Sequence, residues 1–155
     1  MLLPSDISDR LKELLQERFA EEDVHQDLCP IGFKRPCNLI VQDDCDVDIS
    51  NGTKFVEMRP TFTVTTFSEV DDRHHSHLNI LHRRQMQIVS LLLPGYIKVG
   101  DRAPKVAAIK MGGGYDYDTV TVTFSYTLDR REFEEIKLDP TMGELHLNEE
   151  VRTYG

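Results

Sequence analysis

Side chains able to move protons or hold a metal crowd together in the run Arg73-His74-His75-Ser76-His77, with His82 following. On a helix, His74 and His77 stand at i and i+3. That spacing can put two imidazoles on one ion, or set one beside Asp71 or Asp72 as a base with its orienting carboxylate. No carboxylate follows the pair at helical spacing, and no His-Glu-x-x-His pattern exists. Arg73, Arg83 and Arg84 would repel a cation. A small metal-independent hydrolase using residues 74–82 is the alternative from a different class. Against it, the chain has no nucleophile elbow and no cofactor fingerprint, and its acids cluster by charge instead of forming a spaced acid and base. The expectation is therefore a solvated or subunit-facing histidine cluster, with no catalytic residue, no metal and no cofactor.

Two further motifs invite chemistry and fail on spacing. Cys29, Cys37 and Cys45 are odd in number, which argues against a disulfide framework and for a reducing compartment. No two of them have the close spacing of a zinc knuckle, so they read as free thiols. Gly112-Gly113-Gly114 lacks the Gly-Lys-Ser/Thr that opens a helix in a phosphate loop. Tyr115-Asp116-Tyr117 follows instead and leads into a strand.

Charge sets the next limit. With a formal net charge of −9, the chain is unsuited to gripping duplex phosphates. Asp43, Asp44, Asp46 and Asp48 form one acidic block, while Lys98, Arg102, Lys105 and Lys110 gather positive charge. Such asymmetry suits head-to-tail contact between copies, and ordinary solvated charge is the plainer reading. At 155 residues, with 39% hydrophobic and 29% charged residues, the chain fits one globular domain. No apolar run is long enough for a membrane helix, and residues 1–8 lack a basic start and an apolar signal core, so a cytoplasmic protein is expected.

The elements that must position these groups follow from periodicity. Ser5 caps a first helix whose stripe is Ile7, Leu11, Leu14, Leu15 and Phe19, ending near Glu22. Residues 23–36 have turn composition. Asn51-Gly52 signals a type I′ hairpin in which Ser50 pairs with Thr53. That register sets Val47 across from Val56, Cys45 from Met58, Val41 from Phe62 and Leu39 from Val64 on one face. On the other face it sets Asp44 across from Arg59, and it puts Asp43 opposite Pro60, where a bulge or an edge is expected. The hairpin is long enough to project as an arm. A second helix runs from Val70 or Asp71 to Leu93 with Leu78, Leu81, Ile88, Val89 and Leu92 on one face, interrupted by Gln85. A short strand at Tyr96 to Val99 and a hairpin closing at the glycines follow, its register left open between Val106 and Ala107. The last strand alternates Val120, Val122, Phe124, Tyr126 and Leu128 with Thr119, Thr121, Thr123, Ser125 and Thr127. An α+β domain over residues 1–128 is expected, with a mainly antiparallel twisted sheet of about four strands packed by two helices on one face. The acidic residues 129–155 form a C-terminal arm or tail.

Gly114-Tyr115-Asp116-Tyr117 and the strand after it resemble the last hairpin of the tail-terminator family of lambda-like bacteriophages, the minor tail protein U type. The order of elements over residues 5–128 is similar to that family as well. The resemblance implies a structural virion protein: a homohexameric ring that caps the tail tube, ends its polymerisation and joins the tail to the head connector. It also implies self-association, contact with tube and connector proteins, DNA only in transit, and a place in the host cytoplasm during assembly and then in the virion neck. A head-tail neck adaptor of a contractile-tailed phage is the neighbouring alternative. On this reading Arg59, Arg73, Tyr115 and Tyr117 are subunit-interface candidates, and Asp43, Asp44, Asp46 and Asp48 line the lumen or meet a basic neighbour.

Overall fold

The chain runs α1 (Pro4–Arg18), β1 (Asp23–Gln26), β2 (Cys37–Asp48), β3 (Phe55–Phe67), α2 (Leu78–Leu92), β4 (Lys105–Gly113), β5 (Asp118–Asp129) and α3 (Glu132–Ile136), in a computed structural model that describes residues 1–70 and 78–136. This is the expected α+β fold, with a mostly antiparallel sheet of five strands, where about four were expected, in the order β1-β2-β3-β5-β4. The fifth strand is β1, which pairs parallel to the start of β2 inside the stretch expected to be loop. It escaped notice because four residues, Asp-Val-His-Gln, are too few to show an alternation.

Buried side chains of α1 and α2 form one core with Ile40, Phe62, Val64, Val120, Val122 and Phe124, so both long helices cover the same face of the sheet. In α1 the stripe Ile7, Leu11, Leu15 and Phe19 is buried. Its start is not capped by Ser5. Pro4 takes the first helical position, where its missing N–H costs nothing, and the Asp6 carboxylate accepts the Leu3 N–H at 2.8 Å. The helix stops at Arg18, short of Glu22.

In α2, Leu81, Ile88 and Leu92 are buried, whereas Leu78 is 57% exposed and leaves the expected stripe. The polar interruption has a cause: the buried Gln85 amide donates to the Gly112 carbonyl at 2.8 Å and the Thr119 carbonyl at 2.9 Å, tying the helix to the β4–β5 hairpin. The expected start at Val70 or Asp71 leads into residues 71–77, outside the described residues. Gly95, at φ +87°, takes the left-handed turn that ends the helix.

The β2–β3 register differs from the expectation. Asn51 does not have positive φ and Gly52 alone does, at +87°, so the connection is a longer turn over residues 49–54 and not a two-residue type I′ turn. Val47 faces Met58, Cys45 faces Pro60 and Asp46, not Asp44, faces Arg59. The expected irregularity does fall at Asp43, as a bulge between Gln42 and Asp44. That extra residue flips everything before it: Ile40 faces Val64 and is fully buried, while Leu39 and Val41 pair with Thr65 and Thr63 on the opposite face.

β5 has the expected alternation, with Val120, Val122, Phe124, Tyr126 and Leu128 all buried. It lies inside the sheet between β3 and β4, which makes β4 the edge. Gly113 pairs with Asp118, and a bulge at Ala107 turns Val106 toward the core. The expected strand from Tyr96 to Val99 reduces to isolated bridges, Tyr96↔Lys105 and Val99↔Arg102. β5 accompanies β3 as far as Phe55↔Asp129, so only the turn over residues 49–54 extends past the sheet. Beyond Asp129, Arg130 donates to the carbonyls of Ile49 at 3.1 Å and Gly52 at 2.8 Å, and Phe133 packs on the core. Residues 137–155 of the expected arm lie outside the described residues.

Candidate assembly surface

With both helices on one side, the other face of the sheet carries Thr61, Thr63 and Thr65 on β3 beside Thr123, Thr121 and Thr119 on β5. Threonine suits this place: β-branching fits the strand backbone, and the hydroxyls face water or each other. The Oγ1 atoms of Thr61 and Thr123 lie 3.0 Å apart, and those of Thr63 and Thr121 lie 3.4 Å apart. The centre of the face is thus uncharged and hydroxylated.

Its flanks carry opposite charge. On β2, Asp44 faces Thr61 and Asp46 faces Arg59, and both aspartates are exposed. On β4, Lys110 pairs with Thr121 and Lys105 with Ser125, which puts both exposed lysines on the same face at the far edge. The acidic block is not uniform. Asp43, on the bulge, accepts a hydrogen bond from Thr63. Asp48 accepts from the Ser50 N–H at 2.8 Å and the Ser50 hydroxyl at 2.5 Å, which hold its carboxyl below the usual range. Asp43 and Asp48 shape the hairpin, while Asp44 and Asp46 are exposed with Arg59 across from Asp46.

Arg59 does not reach across to Asp44. Its guanidinium forks onto Glu57 at 3.1 and 3.2 Å, and Glu57 also accepts from Ser125 at 2.8 Å. The Ser125 and Arg59 hydrogen bonds together lower the Glu57 carboxyl. Tyr115 and Tyr117 sit at the β4–β5 turn, 73% and 41% exposed, the Tyr117 ring 6.3 Å from that of Phe67. The acidic hairpin end and this aromatic turn are therefore at opposite ends of the sheet, roughly 35 Å apart at about 3.3 Å per residue. Among the described residues, the fold does not gather the candidates into one site. Arg73 lies outside the described residues, as do His74, His77, Asp71 and Asp72.

His82 is described, and it has an acidic partner that sequence reading missed. Its Nε2 lies 3.7 Å from Oδ2 of Asp118, a buried carboxylate whose pKa burial raises and the nearby imidazole lowers in part. The two line a cleft of about 350 Å³ with Leu78, Gln85, Met111, Gly112, Gly113 and Gly114. Asp118 can orient the imidazole, and among the described residues no serine, threonine or cysteine lines that cleft to act as a nucleophile. The pairing was hidden because 36 positions separate the two residues and only the packing of α2 on the β4–β5 hairpin joins them.

No protein-family model and no curated protein matches the chain. Among the described residues no helix is long and apolar enough to cross a membrane.

Proposed function

We propose that the protein is a structural subunit that associates head to tail into a ring, and that the ring caps a phage tail tube, stops its growth and joins it to the head connector. The observation that carries this reading is the polarised open face: aspartates on one flank, lysines on the other, and between them threonine hydroxyls and the mutually paired Glu57 and Arg59. Two copies placed side by side would bring the Asp44–Asp46 flank of one against the Lys105–Lys110 flank of the next, a heterologous contact that closes into a ring when the rotation allows. The β4 edge beyond Val106, where the pairing with Gly95 and Tyr96 ends, supports the same reading, since a neighbour's strand can add to it. Apolar Val47, Ile49 and Phe55 at the hairpin end are 52%, 66% and 43% exposed, a second contact at the far end from Tyr115. The tail-terminator resemblance of residues 114–128 supplies the biological setting.

If Asp44 and Asp46 lined the lumen instead of meeting a neighbour, they would keep passing DNA from adhering. A neck adaptor role uses the same surfaces and differs only in which neighbour the ring meets. Of the hydrolase alternative the described residues hold only the His82–Asp118 pair, and no described residue of that cleft is a serine, threonine or cysteine. Electron microscopy of the full chain, alone and mixed with polymerised tail tubes, tests the proposal. Rings, and tubes that end in them, are expected; bare tube ends and no ring would overturn it.

A further inference from the structure

We propose that His25, Cys29 and Cys37 form a binding site for a thiophilic divalent cation, zinc foremost, that staples the loop over residues 27–36 to the sheet. The three side chains come from separate places. Parallel pairing sets His25 beside Leu39, on the face of the sheet away from the helices, and sets Asp23 beside Cys37, so His25 and Cys37 share that face at neighbouring positions. The loop after β1 then returns Cys29 to the pair. One ligand atom from each residue, an imidazole nitrogen and two sulfurs, lies within 4.8 Å of the others. Tetrahedral zinc, with Zn–S near 2.3 Å and Zn–N near 2.0 Å, needs ligand atoms roughly 3.5–3.8 Å apart, so the cluster needs to contract by about 1 Å.

Three observations make this more than proximity. His25 Nε2 is buried and has no hydrogen-bond partner among the described residues. Such a nitrogen is costly unless something occupies it. Cys37 is fully buried and Cys29 and His25 half-buried, so the cluster is sheltered with one side toward solvent, the arrangement of a site that keeps one coordination position for water. The donor set matches the ion: two thiolates neutralise a divalent charge, and imidazole completes a soft set that disfavours calcium or magnesium. Burial holds both thiols protonated, with Cys37 pushed up to about 11, while Arg35 favours the thiolates. On binding, each thiol therefore loses its proton to solvent as its Zn–S bond forms. The sequence signal was present in His25-x-x-x-Cys29, which a search restricted to cysteine pairs passes over.

The test uses the full chain, reduced, titrated first with cobalt(II) and then with zinc(II). Binding of one equivalent is expected, with thiolate-to-cobalt charge-transfer absorption that zinc displaces and a rise in Tm with zinc. Cys29 lies in a loop, so Cys29→Ser keeps the fold. It should lose the charge-transfer band and weaken zinc binding on the order of 100-fold. His25→Gln should weaken binding likewise, and Cys45→Ser, far along β2, should leave it unchanged. Absence of the band, as when cobalt sits only on other histidines, or a zinc affinity and Tm shift unaltered in Cys29→Ser would overturn the proposal.

Discussion

The Arg84 guanidinium stands 2.7 Å from the Glu22 carboxylate, with only 11% and 17% of the two side chains exposed, and so joins α2 to the segment after α1. Its Nε also donates to Thr66 at 2.9 Å, and its plane lies 4.6 Å over the Phe19 ring. Breaking a sheltered pair from one side leaves an uncompensated charge, whereas replacing both ends with apolar groups does not. Glu22→Ala is expected to destabilise by about 3 kcal/mol in chemical denaturation, and the double change Glu22→Leu with Arg84→Met by clearly less. Equal losses would mean that the ion pair is not what holds this junction.

Arg130 locks the turn over residues 49–54 by donating to two of its carbonyls. Arg130→Ala is expected to cost roughly 1 kcal/mol and to raise amide exchange at the hairpin end while sparing the middle of β5. Uniform exchange across the sheet would contradict this.

Much of the core was legible because its elements are regular. The strict alternation of Val120 through Leu128 and the stripe from Ile7 to Phe19 both survive into the packed core. What was not legible depends on single residues that break a period. The bulge at Asp43 reverses the faces of Leu39, Ile40 and Val41, and no propensity reports where the extra residue will displace the ladder. The charge-polarised face has the same origin. Asp44 and Lys110 are plainly charged in the sequence, but that they flank one surface depends on a strand order in which β5 inserts between β3 and β4. The pairings His82–Asp118 and His25–Cys37 needed tertiary packing and parallel strand pairing, respectively.

Asp118 gives a pH test with a definite sign. Burial raises its folded pKa, so its contribution to stability is fully present below the unfolded carboxylate value and is lost as pH rises through the folded value. Asp118→Asn should therefore raise Tm at pH 7 relative to the parent, and the gain should vanish near pH 3. A loss at pH 7 would mean that the contact with His82 outweighs burial.

Charge exchange tests the contact between copies. Lys110→Glu and Asp44→Lys are each expected to abolish self-association, because each sets like charges across the contact. Mixing the two variants should restore pairwise association through their reversed flanks, and raising salt should weaken association of the parent. Association indifferent to both changes would remove the polarised face from the interface.

The most direct measurement is mass by light scattering across protein concentration, made on the full chain and on a chain ending at Ile136, with and without tail tubes. A discrete assembly of about six chains, present alone or formed when tubes are added, is the expected result. A chain that remains monomeric at every concentration and ignores the tubes would contradict the assembly reading.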